Sequence, residues 1–175
     1  GEQLSTLPVT HTTWGEWRVL HPHTLVLAKP SYLIEKYRHD GYERSYLLRG
    51  TKFGLAVFAA DRQKLYPLEE LQGSPLVQET LGDQSVLVVF HEPSRTAVAF
   101  DPSIGGHRMD FELVEVTDTD VVIRDADRGA VWSGLTGRPI SGDEPKPQLR
   151  QYRTTQFVVS NWPKHFPDSP VFGMP

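Results

Sequence analysis

The side chains with the widest chemical reach in this 175-residue sequence are its seven histidines: His11, His21, His23, His39, His91, His107 and His165. His21 and His23 stand two apart, a spacing that puts both rings on one face of an extended chain. Joined by His91 and His11, they would form an imidazole set suited to a transition metal, copper or zinc. A second reading stands beside this one, because Pro22 separates the pair and no spacing identifies a third ligand. In that reading His21 packs against or caps the neighbouring tryptophans and His23 is solvated.

Four carboxylates, Asp118, Asp120, Asp125 and Asp127, fall within ten residues. Calcium takes such oxygen ligands, but the loop order of alternating Asp closed by Gly and a distant Glu is missing. Turn chemistry at both ends of an intervening strand accounts for them. Nucleophilic catalysis has little support: there is no Gly-x-Ser-x-Gly, and Ser141, between Ile140 and Gly142, reads as a turn residue. Gly105-Gly106 reads as a hairpin turn rather than a phosphate loop. The chain has no cysteine, which removes disulfides, thiolate metal sites and thiol chemistry.

Residues 31–50 hold four of the six tyrosines. Tyr32, Tyr37, Tyr42 and Tyr46 stand there with Arg38, Arg44 and His39 in a polar stretch that reads as a long loop. Tyr and Arg combine large flat surfaces with polar handles, so this loop is a candidate ligand or partner contact. Packing over its own sheet is the competing reading. Trp14, Trp17, Trp132 and Trp162 are expected in the core.

A net charge of −4 with no basic stripe argues against nucleic acid. No run of about 18 apolar residues exists to span a membrane as a helix. Fourteen prolines and fourteen glycines are scattered along the chain, as many short strands joined by turns require. The pattern predicts a short helix over 12–20, capped by Thr12 or Thr13, with Trp14, Trp17 and Leu20 or His21 on one face. A strand at 25–27 comes next. From residue 53 strands are expected at 55–59, 63–68, 86–90, 96–100, 109–116, 121–123 and 156–159, with one helical turn at 68–71 and a short helix near 160–165. Met109, Phe111, Leu113 and Val116 are expected to point inward. Asp118-Thr119-Asp120 should close a hairpin. These elements predict a mainly β fold, an antiparallel β-sandwich or distorted barrel with one or two short helices.

The two ends of the chain align at an offset of 145. Gln3/Gln148, Leu4/Leu149, Thr10/Thr155, Trp17/Trp162, Pro22/Pro167 and Val26/Val171 are identical, and Thr24/Ser169 and Leu27/Phe172 are conservative. The shared core is Trp-x4-Pro-x-Thr/Ser-x-Val. Each copy is read as closing a structural unit, so residues 1–27 would end a preceding unit, 28–50 would be a tyrosine-rich linker and 51–175 the β domain.

Several segments, in order, resemble one bacterial and archaeal domain-of-unknown-function family, number 3179. They are Thr13-Trp14-Gly15-Glu16-Trp17 through His21-Pro22-His23-Thr24; Tyr66-Pro67-Leu68 with Leu71; Val86 to Asp101; and Asp125 to Trp132 with Gly137 to Gly142. The resemblance implies two similar units per protein and export from the cytoplasm, and no established activity. Some units of the family carry Cys-Pro-x-Cys where this chain has His91-Glu92-Pro93-Ser94, and Arg128 and Ala130 replace a family Thr and Ser. The expected function is a non-catalytic exported binding or accessory module contacting a sister unit and a protein or small ligand, without a cofactor. The alternative is a His-based metal-dependent or redox enzyme. A third is a purely structural unit.

Overall fold

Val86 to Phe90 is apolar on both faces, and the strand built from it runs through the middle of the molecule. The structure, a computed structural model, describes residues 7–33, 50–140 and 148–174. Among these residues, helix α1 (Trp14–Leu20) precedes twelve strands. These are β1 (Phe53–Ala59), β2 (Arg62–Pro67), β3 (Leu76–Leu81), β4 (Gln84–His91), β5 (Thr96–Asp101), β6 (Ser103–Ile104), β7 (His107–Arg108), β8 (Phe111–Val116), β9 (Val121–Asp125), β10 (Val131–Ser133), β11 (Arg150–Gln151) and β12 (Arg153–Val158). Helix α2 (Leu68–Gln72) comes after β2, and a 3-10 turn (Val159–Asn161) leads into α3 (Trp162–His165).

The named strands pair antiparallel in sheets ordered β12-β1-β2, β11-β5-β4-β3 and β10-β9-β8, with β6-β7 as a small hairpin. Side chains alternate across each strand, and the central sheet therefore serves two cores. Val86, Val88 and Phe90 join Leu55, Val57 and Tyr66 of the first sheet. Leu87, Val89, Val98 and Phe100 join Phe111, Ile123 and Trp132 of the third. Contacts between β2 and β3 and between β12 and β5 curl the first two sheets toward a distorted barrel. The outer face of the first sheet is closed by the chain's last segment, with Trp162 buried against Ala56 and Leu65.

Gly134 is required where the third sheet meets its neighbour: a Cβ there would lie 2.6 Å from the Val121 carbonyl oxygen. The Gly105-Gly106 turn joins β6 to β7 with both residues at positive φ, 60° and 79°, as a primed hairpin turn demands. The 118–120 turn joins β8 to β9, Thr117 N–H donating to the Asp120 carbonyl.

The mainly β class, the short helix near 160–165 and the helical turn at 68–71 all form. Three local expectations do not hold. Residues 25–27 form no strand, and Leu25, Val26 and Leu27 are 95%, 64% and 96% exposed. Met109 and Phe111 are buried, but Leu113 and Val116 are exposed: they pair with the buried Ile123 and Val121, yet β8 is the edge strand of its sheet. The buried side chain of α1 is Glu16 rather than a tryptophan. Strands β3, β6, β7 and β10, too short or too polar to stand out in the sequence, complete the sheets.

Candidate functional site

Helix α1 begins where Thr13, in extended backbone, accepts a hydrogen bond from Glu16 N–H at its Oγ1 (3.2 Å). This cap satisfies one of the free N–H groups of the first turn and sets the helix phase. The phase carries Glu16 into the protein and leaves Trp14 half exposed. The helix and the preceding segment lie over the end of the central sheet, at the β4–β5 hairpin.

There a chain of polar groups fills the seam. His91, the last residue of β4, pairs with Thr96, the first of β5, and is fully buried. Its Nε2 lies 2.9 Å from the Thr117 carbonyl oxygen, which accepts, so Nε2 carries hydrogen. Its Nδ1 lies 2.7 Å from Ser94 Oγ. Ser94 Oγ in turn lies 2.7 Å from Thr96 Oγ1, which donates to Thr12 Oγ1 at 2.7 Å. Gln151 Nε2 and Thr154 Oγ1 extend the seam by donating to Thr10 Oγ1 and to the Val9 carbonyl. Glu16 Oε2 is 3.7 Å from His91 Nδ1, while Oε1 is buried with no hydrogen-bond partner among the described residues. Burial raises the Glu16 carboxyl above its ordinary range; the His91 ring opposes this, and Asp120 adds to it.

A cleft of about 680 Å³ opens beside this seam. His11, Thr13, Trp14, Phe53, Arg95 and Gln156 are among the residues that line it. Arg95 sits in the β4–β5 turn at φ 51°, a left-handed conformation costly for a side chain of its size. No acidic side chain lines the cleft among the described residues. A positive group, an amide, hydroxyls and an indole face one space, a combination that fits a polar ligand with a flat apolar face.

Ser94 and His91 stand at nucleophile-and-base distance, with the Thr117 carbonyl orienting the ring. However, Ser94 Oγ is held on both sides, by His91 and Thr96, and its side chain is buried. The group ties the N-terminal segment to the sheet, and its Ser94 and Thr12 also line the cleft.

The four histidines read as a metal set do not come together. His91 has both nitrogens occupied, His11 lines the cleft, His21 stacks on Trp17 at 4.1 Å between ring centroids, and His23 is exposed. Among the described residues no group of three or more His, Cys, Asp or Glu side chains is placed to hold a metal ion. The packing of His21 on Trp17 matches its second reading. The carboxylates do turn chemistry: Asp120 Oδ1 accepts from Val121 and Leu135 N–H, and Asp125 Oδ1 from Asp127 and Arg128 N–H. Of the tyrosine-loop residues, Tyr32 is 68% exposed; Tyr37, Arg38, Tyr42, Arg44 and Tyr46 lie outside the described residues, as does Ser141. Trp132 and Trp162 are core as expected, Trp14 is not, and Trp17 is half-buried.

Glu16, Ser94, Arg95 and Thr96 carry no sequence signal strong enough to mark them as a group. His-x-x-Ser across a Pro-containing turn is a faint signal for the hydrogen bond that closes it. Nothing local signals that Glu16 faces inward.

The family model described as "Protein of unknown function (DUF3179)" matches residues 44–175. This is well over half of the chain, and the chain belongs to that family. No curated protein and no solved structure matches it. No helix among the described residues is long and apolar enough to cross a membrane.

Proposed function

For this member of the family we propose a non-catalytic binding module whose site is the cleft between α1 and the β4–β5 turn, and whose ligand is a small anion with a flat apolar face. The observation that carries this reading is the cleft's lining. Arg95 supplies its one fixed positive charge among the described residues, Gln156 and Thr13 supply neutral polar groups, and Trp14 supplies an exposed ring. Holding Arg95 at positive φ aims a residue at the cost of local backbone strain, a pattern met at ligand sites. We place the module outside the cytoplasm on the strength of the family resemblance, and freedom from cysteine is compatible with either compartment.

The test is a thermal-shift screen of small carboxylates and phosphates, aromatic and aliphatic. A ligand at about 100 times its Kd should stabilise the fold by roughly 2.7 kcal/mol. Arg95→Ala and Trp14→Ala should each abolish the shift while leaving the unliganded melting temperature nearly unchanged. A shift that survives both substitutions overturns the assignment of the site. Recovery of the native protein from the cytoplasmic fraction overturns its location.

A further inference from the structure

The two aligned ends of the chain fold alike. Helix α1 ends at a His21 cap with φ −135° and ψ 68°; helix α3 ends at a Phe166 cap with φ −138° and ψ 67°. His21 N–H donates to the Trp17 carbonyl at 2.8 Å, and Phe166 N–H to the Trp162 carbonyl at 2.8 Å. Thr24 N–H donates to the His21 carbonyl at 3.1 Å, and Ser169 N–H to the Phe166 carbonyl at 3.1 Å. His21 leans on Trp17 at 4.1 Å and 35°, Phe166 on Trp162 at 4.3 Å and 36°. The Trp17 indole N–H donates to the Thr24 hydroxyl (2.9 Å) and the Trp162 indole N–H to the Ser169 carbonyl (3.2 Å), seven residues on in both.

Past the shared turn, the two copies differ in their surroundings. Residues 170–172 lie along the edge of β2: Leu65 N–H donates to the Pro170 carbonyl at 3.2 Å, Phe172 N–H donates to the Leu65 carbonyl at 2.8 Å, and Val171 forms a parallel bridge with Leu65. Phe172 stacks on Tyr66 at 5.6 Å, and Trp162 is buried below. The corresponding Leu25, Val26 and Leu27 meet no sheet edge among the described residues and are exposed. The seated copy lies inside the family match at residues 44–175, and the exposed copy lies outside it.

We propose that residues 17–27 are a second closing strap, and that they dock on the β2-type sheet edge of another unit of this family, one whose edge its own strap does not cover. Val26 would bridge the residue corresponding to Leu65, Leu27 would cover the one corresponding to Tyr66, and Trp17 would enter the pocket that Trp162 fills here. An edge strand left open is a template for pairing, and a parallel strap closes it. Helix α1 would then join two units, with Glu16 facing this one and the strap facing the other.

The experiment is a graft in the full chain. One variant carries the sequence of residues 17–27 at positions 162–172; a control carries those residues there in scrambled order. The graft should melt within about 5 °C of the native chain, and the scrambled control at least about 10 °C lower, as loss of several kcal/mol in a chain of this length implies. A peptide of residues 13–28 added to the scrambled control should raise its melting temperature, and the same peptide with Trp17→Ala should not. A graft that melts with the scrambled control overturns the proposal. So does a control that stays folded and ignores the peptide.

Discussion

The segments 17–27 and 162–172 have the same turn, the same indole contact and the same caps, yet one leaves its apolar end bare and the other buries it. The difference separates two levels of structure. Trp-x4-Pro-x-Thr/Ser builds its turn from local hydrogen bonds and one ring contact wherever it stands. Burial comes from the acceptor: Ala56 and Leu65 beneath the ring, and the open backbone of β2 beside the strap. The same sequence logic thus yields a closing element in one place and an exposed surface in the other.

The largest expected effect breaks the symmetry by energy. Trp162→Ala should cost about 3–5 kcal/mol, the range for deleting a buried aromatic side chain. Trp17→Ala should cost under about 1 kcal/mol, because its ring is only half-buried here. Denaturant titration of the two variants checks this, and equal losses would erase the distinction.

A smaller effect belongs to the sheet beneath the seated strap. Tyr66 donates to Glu79, so Tyr66→Phe should cost about 1.5–3 kcal/mol, the range for a hydrogen bond to a charged group. Burial, then the Glu79 hydrogen bond and charge, push the phenol well above its ordinary range. The folded state therefore holds its proton where the unfolded state releases it, above about pH 10. Stability linked to Tyr66 is whole below that pH and falls as the pH rises toward the folded value; Tyr66→Phe should flatten the alkaline slope of the melting temperature.

The seam beside α1 should respond to acid. Burial raises the Glu16 carboxyl, so the folded state binds a proton more tightly than the unfolded state, whose carboxyl titrates near 4.3. The contribution of the neutral acid is complete below that value and is lost as the pH rises through the raised folded value. Glu16→Gln should remove this dependence, leaving the variant's stability flatter than the native chain's across mildly acidic pH. Urea titrations at several pH values read the slope, and identical slopes would show that Glu16 does not titrate in the seam.

The smallest effect is the sharpest on the strap itself. Leu25→Asp with Leu27→Asp should change the stability of the isolated chain by no more than about 0.5 kcal/mol, as for exposed sites. A loss of 2 kcal/mol or more, on the same scale as core damage, would mean that these side chains are covered within this chain.

Much of the molecule is legible in residue order. Val86 to Phe90 announces a strand covered on both faces, Thr12-Thr13 announces the start of α1, and Asp118 to Asp120 and Gly105-Gly106 announce their hairpins, because each signal is local. The 145-residue offset marks two segments whose folded turns prove congruent. The residue types at His91 and Ser94 are visible, but their meeting with Thr96, Thr12 and Glu16 is not, since Thr12 and Thr96 lie 84 positions apart.

Residue order alone thus settles the β class, the cysteine-free chemistry and the turns, all of which depend on composition or on neighbours within a few residues. Long-range packing decides that Glu16 turns inward while Trp14 turns out, that His11, His21, His23 and His91 scatter, and that residues 170–172 are seated on β2 while Leu25, Val26 and Leu27 are exposed. Those outcomes depend on which surfaces the folded sheets present, and a periodic pattern of apolar residues does not say which surface will cover it.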